Sequence, residues 1–333
     1  MNLGDMRIVR FLRMSAHLQM MPVLESGEET LVGGQAVMEG VMMRAPHSYC
    51  VAVRKPSGEI VTEEQAIERM SEKYPIFKKP ILRGLGMLGQ AMTLGYRALK
   101  FSANAALDDG TAKEEGKKPA ELSSWLMTAN LVFSFGFFIF LYKFVPLFLA
   151  TSLGHAVPSL SGRFATNMTD GVIRMAIFLA FLFLISRLKE IHRVFEYHGA
   201  EHKVVFNFES RQPLSVDNAQ KFVTFHPRCG TSFLLVVMVI SMIIYALLPF
   251  DSFTAKFLAR IALLPLITGL SYELIRFAAK RQGTAMGLIT APGLWLQRIT
   301  TKPPDDREVT VAIHALEGAM ALEAKQGGEL VIA

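Results

Sequence analysis

Cysteine is scarce in this 333-residue chain. The two present, Cys50 and Cys229, are too far apart to suggest a disulfide framework. Cys50 reads as a small residue within a strand, which leaves Cys229 as the thiol with a chemical reading, in a reducing compartment. Charge is scarce as well: 19% of residues are Asp, Glu, Lys or Arg against 51% hydrophobic, and the mean hydropathy is +0.32. That balance is too apolar for an ordinary soluble domain and implies a membrane protein. A cleavable signal peptide is also missing, because Arg7, Arg10 and Arg13 interrupt the apolar residues between Met1 and Pro22. As a helix this tract is a basic amphipathic surface segment, and an untidy tail before a start at Met20 or Met21 is the equal alternative. No internal repeat is visible, which argues against a transporter built from repeated halves. No nucleic acid partner is expected.

Long apolar runs are what the chain has in quantity. Four of them, about Leu122 to Leu149, Gly171 to Leu188, Thr231 to Leu248 and Ala255 to Phe277, approach or exceed the roughly 20 residues that span a bilayer as a helix. Lys143 and Pro146 interrupt the first, where lysine can snorkel and proline can kink. Arg174 and Arg260 lie just inside the second and fourth. Lysine and arginine crowd the segments before the first run, between the second and third, and after the fourth, whereas 150–170 holds only Arg163 and the 249–256 turn only Lys256. The positive-inside rule then places both termini and the 189–230 loop in the cytoplasm, as a multi-pass membrane protein.

Around these runs the chain divides into a basic segment (1–29), a small β-containing cytoplasmic module (30–75), a glycine-rich apolar segment (76–108), a charged linker (109–121), the four-helix transmembrane domain (122–290) and a cytoplasmic C-terminal segment (291–333). In the β module, Tyr49 to Arg54 and Glu59 to Thr62 flank a Lys-Pro-Ser-Gly turn and form a hairpin. Gly84 to Tyr96 is too short to cross the hydrocarbon core and reads as an interfacial or re-entrant helix. Asp305 or Asp306 can cap a helix running to about Ala324, with Val309, Ile313, Leu316 and Met320 on one face. Trp295 suits a membrane interface. His314 reads as a surface residue, Arg44 as solvated, and Glu39 stays open.

The chemistry concentrates between the second and third runs. His198 and His202 stand at i and i+4, so on a helix their imidazoles leave one face a turn apart and can grip one ion. The five residues His198-Gly-Ala-Glu201-His202 form an H-x-x-E-H, the order of the inverted zinc proteases. Glu201 is then beside the ion rather than under it, as a general base would be. The bland alternative is a helix that carries His, Glu and Lys because it enters water. His226-Pro-Arg-Cys229 shifts the balance by adding two borderline or soft ligands in the same aqueous segment, with Cys229 at the start of a helix whose backbone N–H groups favour an anion. Glu273, in the fourth run near its cytoplasmic end, is either a further ligand or base, or the i,i+3 partner of Arg276.

Five motifs carry a resemblance to a known family. They are Gly33-Gly-Gln-Ala-Val-Met-Glu39-Gly-Val-Met-Met-Arg44, Tyr197-His-Gly-Ala-Glu-His202-Lys, His226-Pro-Arg-Cys229-Gly-Thr-Ser-Phe, Ser271-Tyr-Glu273-Leu, and Pro292-Gly-Leu-Trp-Leu-Gln-Arg-Ile-Thr-Thr. In this order, over about residues 30 to 320, they resemble the YqhQ-like family of bacterial integral membrane proteins. That resemblance implies the membrane fold and, through the family's label of predicted metal-dependent enzyme, a metal site.

The reading as a whole is a mainly α-helical membrane protein with four transmembrane helices, an interfacial or re-entrant helix and a β-containing module. Its expected function is that of a metal-dependent hydrolase acting on a lipid-embedded or membrane-proximal substrate. His198, His202, His226, Cys229 and Glu273 are the candidate ligands of Zn²⁺, or alternatively Fe²⁺, and Glu201 is the catalytic base. The rival expectations are a scaffold or assembly factor with a closed structural zinc site, and a small transporter using Glu273, Arg174 and Arg260.

Overall fold

The computed structural model describes residues 32–107, 123–226, 229–280 and 284–325. The basic N-terminal segment and the charged linker lie outside the described residues.

The chain starts with four antiparallel strands, β1 (Gly33–Val37), β2 (Gly40–Arg44), β3 (Ser48–Arg54) and β4 (Ile60–Ala66), in the order β1-β2-β3-β4. The expected hairpin is β3–β4, with Gly58 at φ +88° in its turn. β1 and β2 form a second hairpin, missed by the sequence reading, around Met38 and Glu39, with Glu39 in the left-handed region at φ 50°. The reason for the miss is burial on both faces. Val41, Met43, Cys50 and Ala52 point to one side, Met42, Tyr49, Val51 and Val53 to the other, and all are buried. No polar alternation survives to mark the strands.

One face is covered by helix α1 (Leu82–Leu107), through Leu94, Ala98 and Ala105. The C-terminal half of this segment is the outer layer of an α/β/α sandwich, with Met87, Leu88, Met92 and Leu99 exposed on the helix. Its glycines serve close approach to other elements: a Cβ at Gly84 would stand 2.7 Å from Tyr272 Cβ and 2.9 Å from its ring at Cγ. The opposite face is covered by α5 (Lys189–Glu209) and α11 (Asp306–Lys325), which supply Tyr197, Ala200, Val204, Val309, Ala312 and Leu316. Each large side chain buried here contributes roughly 1.5–3 kcal/mol. A reciprocal capping box starts α11: Glu308 N–H donates to Asp305 Oδ1 and Asp305 N–H to Glu308 Oε2, both at 2.9 Å.

The apolar runs form the remaining helices. The first is α2 (Ser124–Ile139) and α3 (Val145–Ala156), joined by a π-helical turn at Phe140–Phe144 that absorbs Pro146, which cannot donate a backbone hydrogen bond. The second is α4 (Arg163–Ile185). Thr128–Ala156 and Arg163–Ile185 are each long and apolar enough to cross a membrane, and their most apolar windows are only 17% and 22% buried within the protein. Such exposure of Phe133, Phe164 and Leu184 suits an apolar surround rather than water. The fourth run is two helices, α8 (Phe253–Ala262) and α9 (Leu264–Lys280), bent by 49° where Pro265 enters the first turn of α9. It makes a third candidate span only if the bent pair counts as one. The third run, α7 (Gly230–Ala246), has 17 residues, about 26 Å of helix, short of a 30 Å hydrocarbon core. The described residues therefore hold two to three candidate spans where the sequence suggested four. A short helix α6 (Val216–Gln220) lies between α5 and α7, and α10 (Thr284–Thr300) runs between α9 and α11. The sequence reading left α10 unassigned because of Pro292 and Gly293. Gly293 is where α10 meets α7, with space for a Cβ taken by Ser232.

Candidate metal centre

His198 and His202 lie one turn apart on α5, with ring centroids 4.5 Å apart. His198 Nδ1 is 2.7 Å from the carbonyl of Thr300, at the end of α10, and His202 Nδ1 is 2.5 Å from the carbonyl of Thr224. A carbonyl oxygen only accepts, so each Nδ1 carries the proton and donates. The lone pair of each ring is thereby left on Nε2, the tautomer a ligating histidine needs, with the ring orientation fixed from behind. Cys229 is the N-cap of α7, and its Sγ is 3.3 Å from His198 Nε2 and 3.2 Å from Thr231 Oγ1. The ligand atoms of His198, His202 and Cys229 all lie within 4.8 Å of one another. Tetrahedral nitrogen and sulfur ligands of one zinc ion stand about 3.3–3.6 Å apart; His198 and Cys229 already meet that spacing, and a shift of about 1 Å would bring all three onto a single soft or borderline cation.

Glu201 completes the cluster. Its Oε2 is 3.6 Å from His202 Nε2 and 3.9 Å from His198 Nε2, and the side chain is buried. Burial pushes its carboxyl up from the usual range, while His198, His226 and a hydrogen bond from the backbone N–H of Gly34 pull it down. His202 is pushed below the usual imidazole range by burial, so its ring is neutral and able to ligate near neutral pH.

The other sequence candidates stand apart from this group. The His226 ring packs against His202 at 5.5 Å and Phe206 at 4.6 Å, with Nε2 3.5 Å from Glu209 Oε2. Burial lowers it to about 4, and it lies outside the three-ligand cluster. Its backbone is clasped by Gln297: His226 N–H donates to Oε1 at 2.7 Å, and Nε2 of Gln297 donates to the His226 carbonyl at 2.8 Å. Glu273 is bound bidentately by Arg83 and accepts from the N–H of Ile81 at 3.1 Å. It ties α9 to the start of α1 instead of reaching the histidines. Glu39 pairs with Arg193 of α5, which also approaches Glu308 at 3.3 Å. Arg44, read as solvated, donates to Gln90 at 2.8 Å.

Sequence reasoning missed Gly34, Thr224, Gln297 and Thr300, each of which orients a cluster residue or its neighbour. All four act through backbone atoms or a neutral amide, which no spacing of charged residues reveals.

The fold and site define a mainly helical protein with candidate membrane spans, an antiparallel sheet and a His/Cys cluster between them. Residues 79–322 match the family described as protein of unknown function (DUF1385), and the chain belongs to it. Among its relatives is the "Uncharacterized protein YqhQ" of Bacillus subtilis (strain 168), 37% identical over 299 residues, which cover 88% of this chain and 93% of the relative. No solved structure matches the chain.

Proposed function

We propose that the chain is a cytoplasm-facing, metal-dependent integral membrane enzyme, a hydrolase whose substrate lies in or beside the bilayer. The observation that carries this reading is the convergence of two Nε2 atoms and one Sγ next to a buried carboxylate, with both imidazoles locked from behind by carbonyls. His198, His202 and Cys229 would hold the ion, zinc before iron given the thiolate and imidazole donors. When bound, such an ion supplies a Lewis acid that brings the pKa of water near 7. Glu201 takes the proton of the attacking water: burial raises its basicity and Gly34 holds its carboxylate in place. Support for a bilayer setting comes from the exposed apolar faces of α2 to α4, and for the cytoplasmic orientation from the basic segments flanking the cluster. On this reading α7 and the bent α8–α9 pair complete four spans.

A specific observation favours a second reading, a scaffold with a closed zinc site. Glu201 stands close enough to both Nε2 atoms to become a fourth ligand, and four protein ligands leave no seat for water. Metal analysis and cobalt substitution separate the two. Purified protein should contain close to one equivalent of metal, lost in His202→Ala and Cys229→Ser. Glu201→Gln should keep its metal if Glu201 is the base and lose it if Glu201 is a ligand. A hydroxamate should perturb the cobalt spectrum of an open site and leave a closed one unchanged. Metal-free wild-type protein in a fully folded state would remove both readings.

A further inference from the structure

We propose that the helices in the apolar part of the molecule hold a second site, remote from the His/Cys cluster, in which Lys143, Arg174, Lys256 and Arg260 bind a phosphate group. The site lies towards the opposite end of the bundle. Asp170, at its centre, precedes the end of α4 by 15 residues, and Tyr245 follows Cys229 by 16 along α7, each about 22–24 Å of helix.

The first argument is charge. Asp170 accepts from Arg174 at 2.5 Å and from Arg260 at 2.6 Å, and all three side chains are buried. Lys143 and Lys256 are electrostatic neighbours of the same carboxylate, and an exposed Arg163–Asp251 pair at 3.1 Å closes the end of the bundle. Two buried guanidiniums thus share the single carboxylate of Asp170, and the Lys143 amine meets both of them at the Tyr245 ring, so basic groups outnumber carboxylates where apolar helices pack. Buried charge persists only where it is compensated, so the excess calls for an anion.

The second argument is the kind of polar atom left over. Arg174 also donates to Ser241 at 2.7 Å and Arg260 to Asn167 at 2.7 Å. Among the described residues, Arg174 Nε, Arg260 Nε and Asn167 Nδ2 are buried with no partner. All three are donors. Unmet donors on nearly inaccessible side chains want an acceptor, and guanidinium forks suit phosphate oxygens.

The third is how Lys143 arrives there. It sits on the π-helical turn, an irregularity frequent at functional sites, and its Nζ donates to Tyr245 Oη at 3.1 Å. The Tyr245 ring is a common platform, with Lys143 Nζ 5.2 Å, Arg174 Cζ 4.9 Å and Arg260 Cζ 5.1 Å from its centroid. Lys143 forms no salt bridge among the described residues, so its charge is the one most available to a ligand.

The phosphate can come from an acidic lipid headgroup or from a small soluble anion, and two measurements tell these apart. The full chain is placed in nanodiscs of phosphatidylcholine with a minority of phosphatidylglycerol, and lipid retained on the protein is counted by native mass spectrometry. Inorganic phosphate is titrated calorimetrically into the protein in phosphatidylcholine alone. Selective retention of phosphatidylglycerol without phosphate binding identifies the lipid, and phosphate binding without lipid selectivity identifies the soluble anion. In either case Lys143→Gln, which leaves the Asp170 pairs intact, should weaken binding about tenfold while the unfolding temperature stays near that of wild type. Lys256→Gln serves as the second variant should the first fail to fold. Absence of binding in both arms, or equal binding by wild type and both variants, overturns the proposal and leaves the cluster as an ion network that holds the helices together.

Discussion

Gly34, on edge strand β1, lies directly against Glu201 on α5: a Cβ added there would stand 2.8 Å from Glu201 Cγ. The same helix reaches the other end of that strand, where Arg193 pairs with Glu39 in the hairpin turn. Helix α5 therefore lies across β1 on the sheet face it shares with α11, and this packing fixes Glu201 against the sheet. The sheet is thus part of the framework of the His/Cys cluster.

Replacing Gly34 tests that link. A Cβ at this position would meet Met42 O at 2.6 Å, Glu201 Cγ at 2.8 Å and Met43 Sδ at 2.9 Å, and the first of these is backbone that cannot swing away. Gly34→Ala should destabilise the protein by about 1–3 kcal/mol and weaken metal retention against a chelator by displacing Glu201. Thermal unfolding and metal competition check it. Wild-type values for both would mean that strand and helix are free to separate at this point.

The pH dependence of stability should carry a signature of Glu308. Burial at the start of α11, reinforced by Glu196 and Asp305 and opposed by the Asp305 N–H and Arg193, raises its carboxyl to about 7. A raised folded-state value means that the native protein holds the proton more tightly than the unfolded chain does. The stabilisation is therefore complete below about 4.5 and is lost as pH rises through 7. Glu308→Gln should flatten this loss by about 1–2 kcal/mol between pH 5 and 8, measured by denaturant unfolding at each pH. An unchanged slope would assign the proton to another group.

Two aspartates of the apolar part, Asp170 on α4 and Asp251 in the turn before α8, should differ sharply on neutralisation. Asp170 is buried between two guanidiniums, whereas Asp251 meets Arg163 at the exposed end of the bundle. Asp170→Asn leaves buried cations without their carboxylate and should cost about 3–5 kcal/mol. Asp251→Asn should cost under about 1 kcal/mol. Comparison of unfolding temperatures in one detergent reads the contrast, and similar losses would show that water reaches Asp170.

How much of this could be read in the sequence depended on whether a residue acts through its side chain. His198 and His202 were legible as neighbours because i,i+4 puts two imidazoles on one helix face, whereas the His-x-x-Cys spacing brought Cys229 to them but not His226; the Asp305 cap and α11 followed from periodicity. The partners of Glu273 and Glu39 were not legible, since Arg83 lies 190 positions from the first and Arg193 154 from the second. β1 and β2 escaped because helices on both faces of the sheet erase the period-two pattern. The four-span expectation rested on run length alone, and Pro265 together with the short α7 shows that apolar length does not fix where a helix bends or stops.

Gln297 offers the sharpest separation between holding the ion and holding the loop that brings a ligand to it. Its amide makes two hydrogen bonds to the backbone of His226, three residues before Cys229, and it is fully buried. Gln297→Leu keeps the volume but leaves a buried N–H and a buried carbonyl without their partners, at a cost of about 1–3 kcal/mol each. The loop bearing Cys229 should then loosen while His198 and His202, fixed through Thr300 and Thr224, stay in place. Metal should still bind but dissociate faster, and in the cobalt-loaded protein the sulfur-to-metal charge-transfer band should weaken while the bands of the imidazole-bound ion persist. Gln297→Glu, which can still accept from His226 N–H, should fall between the two. A Gln297→Leu protein with wild-type dissociation and an unchanged sulfur band would show that Cys229 is positioned by its place at the N-terminus of α7 alone.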